Sequence, residues 1–166
     1  MIFLRPFRFF AQALLLDATP KQLAWGFALG MAIGLVPKGN LIAVVMTAVL
    51  CSLRVNMAAG MMAIFTFSWI GMAIDPVSHQ IGQYLLTQPS LQSFWTTLYD
   101  TPLVPWTSFN NTVVLGSFVL GLALLYPAYR LSEPLFAKFA PKWTERVQKF
   151  RLVKLLWGTE LTGKLA

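Results

Sequence analysis

The chain is short of almost everything that builds an enzyme or a soluble domain. Its 166 residues include one cysteine and one histidine. Cys51 alone excludes a disulfide framework, and Cys51 with His79 leaves too few ligands for a Cys/His metal site. Charged residues make up 11% of the chain, against about 25% in soluble globular domains. Only six are acidic, and Asp17, Asp75 and Asp100 stand far apart. Paired carboxylates for acid–base chemistry are therefore missing. There is no phosphate loop, no nucleophile elbow and no metal-ligand spacing. No catalytic residue, metal or cofactor is expected.

What is present is apolar. Hydrophobic residues account for 57% of the chain and mean hydropathy is +0.63. A soluble domain of this length still exposes about 30% of its unfolded surface, which such a composition cannot supply with polar groups. Disorder requires the opposite composition. The expected fold class is an all-α membrane protein in one domain: a short helical hairpin plus two transmembrane helices, with amphipathic interfacial helices at both termini.

Residues 1–18 read as an interfacial helix. Phe3, Phe7, Phe10 and Leu14 share one face, while Arg5, Arg8 and Gln12 share another. Charges inside the apolar run, with no small-x-small site after it, argue against a signal peptide. Thr19-Pro20 starts the next helix. Two apolar runs then fill residues 20–54, separated by Pro37-Lys38-Gly39-Asn40. Each is about 22 Å as helix, against about 30 Å of hydrocarbon, so the pair either spans a thinned bilayer or re-enters. Residues 55–74 form a transmembrane run that Asp75-Pro76 is expected to end. Residues 75–108, with Pro89, Pro102 and Pro105 among aromatics, read as an external segment hugging the membrane. Residues 109–129 form a second span. A basic amphipathic helix is expected over 130–166, started at Ser132-Glu133-Pro134 and restarted at Pro141, with Lys138, Lys142, Arg146 and Lys149 contacting anionic lipid.

Charge placement gives a topology. Arg5, Arg8, Lys21, Arg54 and every basic residue from Arg130 onward fall on one side, while the 75–108 segment has no Lys or Arg. The positive-inside rule then puts both termini in the cytoplasm of a multi-pass bacterial inner-membrane protein. The net charge of +7 serves orientation, with anionic lipid as partner and no nucleic acid.

Lys38 is the exception. With Asn40 it is either an intramembrane polar tip or a lysine snorkelling to the outer headgroups. Arg54 and Asn56 form a polar turn, read as an orienting charge and a helix cap, or as a cluster meeting a partner. Asp75 and His79, at i and i+4, could touch as a proton relay; the plainer reading has Asp75 capping a helix opened by Pro76. Gly26, Gly30 and Gly34 form a small-xxx-small ladder for helix packing. Asn110-Asn111-Thr112 matches a glycosylation sequon but abuts the final span and is read as its cap, and Cys51 is expected to be a buried small side chain.

The run from Gly26 to Pro37, then Arg54-Val55-Asn56, then Trp69 through Asp75-Pro76, resembles an uncharacterised bacterial inner-membrane family carrying a domain of unknown function. The stretch Ser108 to Gly116 is similar to a small stand-alone subgroup. The resemblance covers roughly residues 15–120. It differs at Asp75-Pro76, where many members have Asn-Pro, and at Lys38, usually apolar. It implies an envelope role, and the domain's occurrence fused to some glycosyltransferases implies lipid-linked sugars or membrane lipids. It also implies a larger membrane-anchored envelope protein as partner, a homo-oligomer being the other possibility. Two functions follow: a non-enzymatic subunit assisting that partner, with a part in lipid handling, or a small oligomeric transporter or lipid translocase using the polar tip.

Overall fold

The computed structural model describes residues 18–149, with side chains described through Ala140. The expected interfacial helix over residues 1–17 lies outside them, as does the chain beyond Lys149. The described residues are all-helical. Five α-helices follow one another: α1 (Pro20–Leu35), α2 (Leu41–Ser52), α3 (Met57–Thr87), α4 (Gln92–Tyr99) and α5 (Thr112–Lys149). Single 3₁₀ turns occupy Pro89–Leu91 and Val104–Thr107.

The helix starts are set by short polar side chains. Thr19 forms a capping box with Gln22, and Pro20 supplies the first turn's fixed φ. The side-chain oxygens of Asn40 and Asn56 accept from the backbone N–H of Ala43 and Ala59. Asn111 accepts from Val113 and Val114 at 2.9 and 3.3 Å, capping α5. Helix α1 stops where Val36 is forced extended (ψ 129°) by the ring of Pro37. Gly39, at φ +94°, then makes a turn that an L side chain would strain.

Helices α1, α3 and α5 pack mutually and form the body of the molecule. Close approaches fix their directions. A Cβ added at Gly26 would overlap the Asn56 carbonyl, one at Gly30 the Gly60 carbonyl, and one at Gly34 would meet Phe67 Cβ at 2.6 Å. Numbers rise together, so α1 and α3 run parallel. Gly121 approaches Ala32 while Trp25 stacks on Tyr129 at 4.4 Å, so α5 runs antiparallel to α1. Gly116 against Ser78 and Gly82 against Thr112 repeat that sense between α5 and α3. Helix α1 is the central element, buried at Leu23, Ala24, Ala28 and continuously from Gly30 to Leu35.

Helix α2 is the return stroke that makes the parallel pair possible. It contributes Ala43 and Leu50 to the interior and leaves Val44, Val45 and Val49 exposed. It packs lightly on α1, on α3 and on the Val104–Thr107 turn: Ala43 and Ile42 pack with Val36 and Val114, and Leu50 lies against Gly60. Cys51 is exposed, contrary to expectation, because it lies on the outer face of this lightly packed helix.

Two expected breaks do not occur. Helix α3 runs through Asp75-Pro76 to Thr87, so Asp75 caps no new helix and the span does not end there. An interior proline costs a helix about 3 kcal/mol; the close packing of Ser78 and Gly82 on α5, just past Pro76, holds the helix together. Likewise α5 is continuous through Pro127, Pro134 and Pro141, so the second span and the basic segment are one helix as far as Lys149.

Helices α3 and α5 are long and apolar enough to cross a membrane, over Met57–Thr87 and Thr112–Ala140. In the most apolar window of each, 28% of residues are buried. The core helix of a soluble protein is mostly covered by its own chain. The connecting segment turns back under α3: Trp95 Nε1 donates to the Leu85 carbonyl and Gln92 Nε2 to that of Leu86, satisfying its last turn. Trp95 stacks on Phe109 at 5.8 Å, while Trp106 and Leu103 are exposed.

Candidate functional site at the hairpin tip

The polar groups at the end of α1 are held by backbone. The Lys38 ammonium donates to the carbonyls of Ile33 (2.7 Å), Gly34 (3.2 Å) and Val36 (2.7 Å). These carbonyls lie at the end of α1, where the helix has no N–H to offer them and its dipole favours a cation. The ammonium is partly desolvated in this socket, which lowers its pKa from the ordinary lysine value. All three N–H donors are engaged, so Lys38 is first a helix C-cap. Asn40 is similarly engaged at both ends: its amide nitrogen donates to the Pro37 carbonyl at 2.7 Å and its oxygen caps α2 at 2.9 Å. Asn40→Ala is expected to cost about 1 to 2 kcal/mol. Asn40→Asp should recover most of that, as read by the unfolding midpoint in detergent.

A cavity of about 220 Å³ opens between this tip and α3. Leu35, Val36, Pro37 and Met72 give it apolar walls, and Lys38, Ser68 and Asp75 bring polar groups to it. The Ser68 hydroxyl donates within its own helix to the Ile64 carbonyl at 2.6 Å. Asp75 is half-buried and has no hydrogen bond or ion pair among the described residues.

The expected contact between Asp75 and His79 does not form. His79 Nδ1 instead lies 2.6 Å from the Thr112 hydroxyl, linking α3 to the first residue of α5. The structure thus brings Lys38 and Asp75 to one cavity and turns His79 away. Arg54 and Asn56 lie at the opposite end of the bundle, where the Asn56 N–H donates to the Gln22 carbonyl at 3.0 Å. Gly26, Gly30 and Gly34 all face α3. Lys138 is exposed, 5.7 Å from the Phe139 ring centroid. The side chains of Lys142, Arg146 and Lys149 lie outside the described ones. Ser68, Gly71 and Met72 also line the cavity; the only sign of this in the sequence is their helical spacing from Asp75, which puts them on one face of α3.

A second cavity, of about 350 Å³, lies below α3 between Trp95, Tyr99 and Phe109. Among the described residues no group of three or more His, Cys, Asp or Glu could hold a metal ion.

Over the described residues, these features define an all-helical protein with two helices long and apolar enough to cross a membrane, welded by glycine contacts and carrying a small cavity at the hairpin tip. The family described as uncharacterised proteins conserved in bacteria, DUF2062, matches residues 4–144, and the chain belongs to it. An uncharacterised protein of Treponema pallidum (strain Nichols) is 29% identical over 114 residues, covering 69% of this chain and 70% of the relative. No solved structure matches the chain.

Proposed function

We propose that the chain is a non-enzymatic, multi-pass subunit of the bacterial inner membrane that anchors or assists a larger envelope protein, with a part in lipid handling. Membrane orientation is supported by where the charges sit on the bundle. Lys21, Arg54 and Arg130 gather at the end where α1 and α3 begin. The opposite end, from Asp75 through Asn111, has no Lys or Arg. By the positive-inside rule the first end is cytoplasmic, with both termini on that side. Lys38 is the one basic residue at the other end, and its charge is spent on capping α1.

The observation that carries the subunit reading is the closed centre of the bundle. Helix α1 meets α3 backbone to backbone at Gly30 and Gly60, and Gly121 of α5 approaches Ala32. Among the described residues these contacts close the bundle axis, which disfavours a transporter acting through it. Affinity purification of the tagged chain in mild detergent tests the reading. A larger membrane-anchored protein is expected at fixed stoichiometry. Recovery of the chain alone and monomeric would remove the proposal.

A further inference from the structure

Around the hairpin tip, four polar side chains have their partners inside the protein. Lys38 is held by three carbonyls, Asn40 by Ala43 and Pro37, Ser68 by Ile64, and His79 by Thr112. Asp75 lines the same cavity and has none among the described residues. An ionised carboxylate at an apolar boundary is costly unless a cation answers it.

Position narrows the cation. From Met57 to Asp75 the helix rises about 27 Å, close to the roughly 30 Å of a bilayer's hydrocarbon. With Arg54 in one headgroup layer, Asp75 reaches the other. On its bilayer side, Met72 and Phe65 continue along α3 and are 67% and 71% exposed. A carboxylate at headgroup depth above an exposed apolar strip matches a phospholipid with a cationic headgroup and acyl chains.

We propose that this cavity binds the primary ammonium of a zwitterionic phospholipid, with Asp75 as its counter-ion and Met72 and Phe65 against its acyl chain. A carboxylate accepts hydrogen bonds from a primary ammonium, whereas a quaternary one has none to donate. No aromatic ring lines the cavity to favour a quaternary group by cation–π attraction. An anionic headgroup lacks a free donor, because the Lys38 N–H groups are engaged.

The inference rests on the membrane placement proposed above and not on the partner protein. The test is native mass spectrometry of the full chain from mild detergent, after incubation with equal phosphatidylethanolamine, phosphatidylglycerol and phosphatidylcholine. Phosphatidylethanolamine adducts are expected to dominate. Asp75→Asn should reduce them about tenfold, the loss of one charge-assisted hydrogen bond, and Asp75→Glu should keep them. Met72→Trp, which retains the carboxylate but blocks the mouth, should also reduce them; it carries the test if Asp75→Asn does not fold by circular dichroism. Equal retention of phosphatidylglycerol by the wild type overturns the proposal, as does undiminished phosphatidylethanolamine on the folded variants. Flotation with vesicles separates the readings: a chain that fails to float refutes the membrane placement, while one that floats without lipid preference refutes only this site.

Discussion

Gly30→Leu should prevent the chain from holding its folded state. Even a Cβ at this position overlaps the Gly60 carbonyl, and it would lie 2.8 Å from Gly60 Cα. Overpacking a core commonly costs about 1 to 3 kcal/mol when side chains can give way. Here the opposing atoms are backbone, so α1 and α3 must separate and the cost rises above that range. That is a large part of the roughly 5 to 15 kcal/mol that holds a domain together. Gly60→Ala is the control. Its Cβ meets the ends of the flexible Leu50 side chain at 3.0 and 3.2 Å and the Gly26 carbonyl at 3.3 Å, so a shift of a few tenths of an ångström accommodates it. Unfolding followed by circular dichroism, as a denaturing detergent is titrated into a mild one, compares the two. A Gly30→Leu protein that melts with the wild type would refute the parallel contact of α1 with α3.

Lys38→Met should be the next most damaging change, at about 2 to 3 kcal/mol. It keeps the side chain's length and apolar stem but strips the donor from the carbonyls of Ile33, Gly34 and Val36. A hydrogen bond to a charged group contributes about 1.5 to 3 kcal/mol. Three are lost together, and water reaching the tip replaces part of them. Lys38→Arg should be intermediate, since a planar guanidinium cannot direct three donors into a socket shaped for an ammonium. The same denaturation measurement applies. A Lys38→Met protein as stable as the wild type, yet defective in cells, would show that the lysine acts on a ligand and not on its own helix.

The two residues show what could be read from the chain. Gly26, Gly30 and Gly34 announce close packing by their spacing alone, because small residues at every fourth position leave one helix face flat. Thr19 and Asn56 announce helix starts because their side chains replace backbone partners within three residues, whereas Asn40 reads as a polar tip residue and proves to be a cap of the same kind. Everything settled at longer range was hidden. Pro76 looks like a terminator until Gly82 and Gly116 are seen locking α3 to α5 beyond it. The i, i+4 spacing of Asp75 and His79 suggests a pair, but Thr112, far along the chain, takes the imidazole. Asp75 is left facing a cavity whose other wall comes from the end of α1. Lys38 was noticed as an oddity of charge, while its socket of carbonyls is a matter of how α1 ends.

The bond from the Asn56 N–H to the Gln22 carbonyl has a consequence for how the protein is made. It joins the first turn of α1 to the start of a helix synthesised more than thirty residues later. Until then α1 has its glycine ladder uncovered, and only α2, which packs lightly on it, as company. At about 24 Å and 18 Å, α1 and α2 are each shorter than the bilayer's apolar layer. The pair is therefore fixed in place only when α3 arrives alongside, and α1 becomes fully enclosed only when α5 follows. Among the described helices, the first made is thus the last to be sealed.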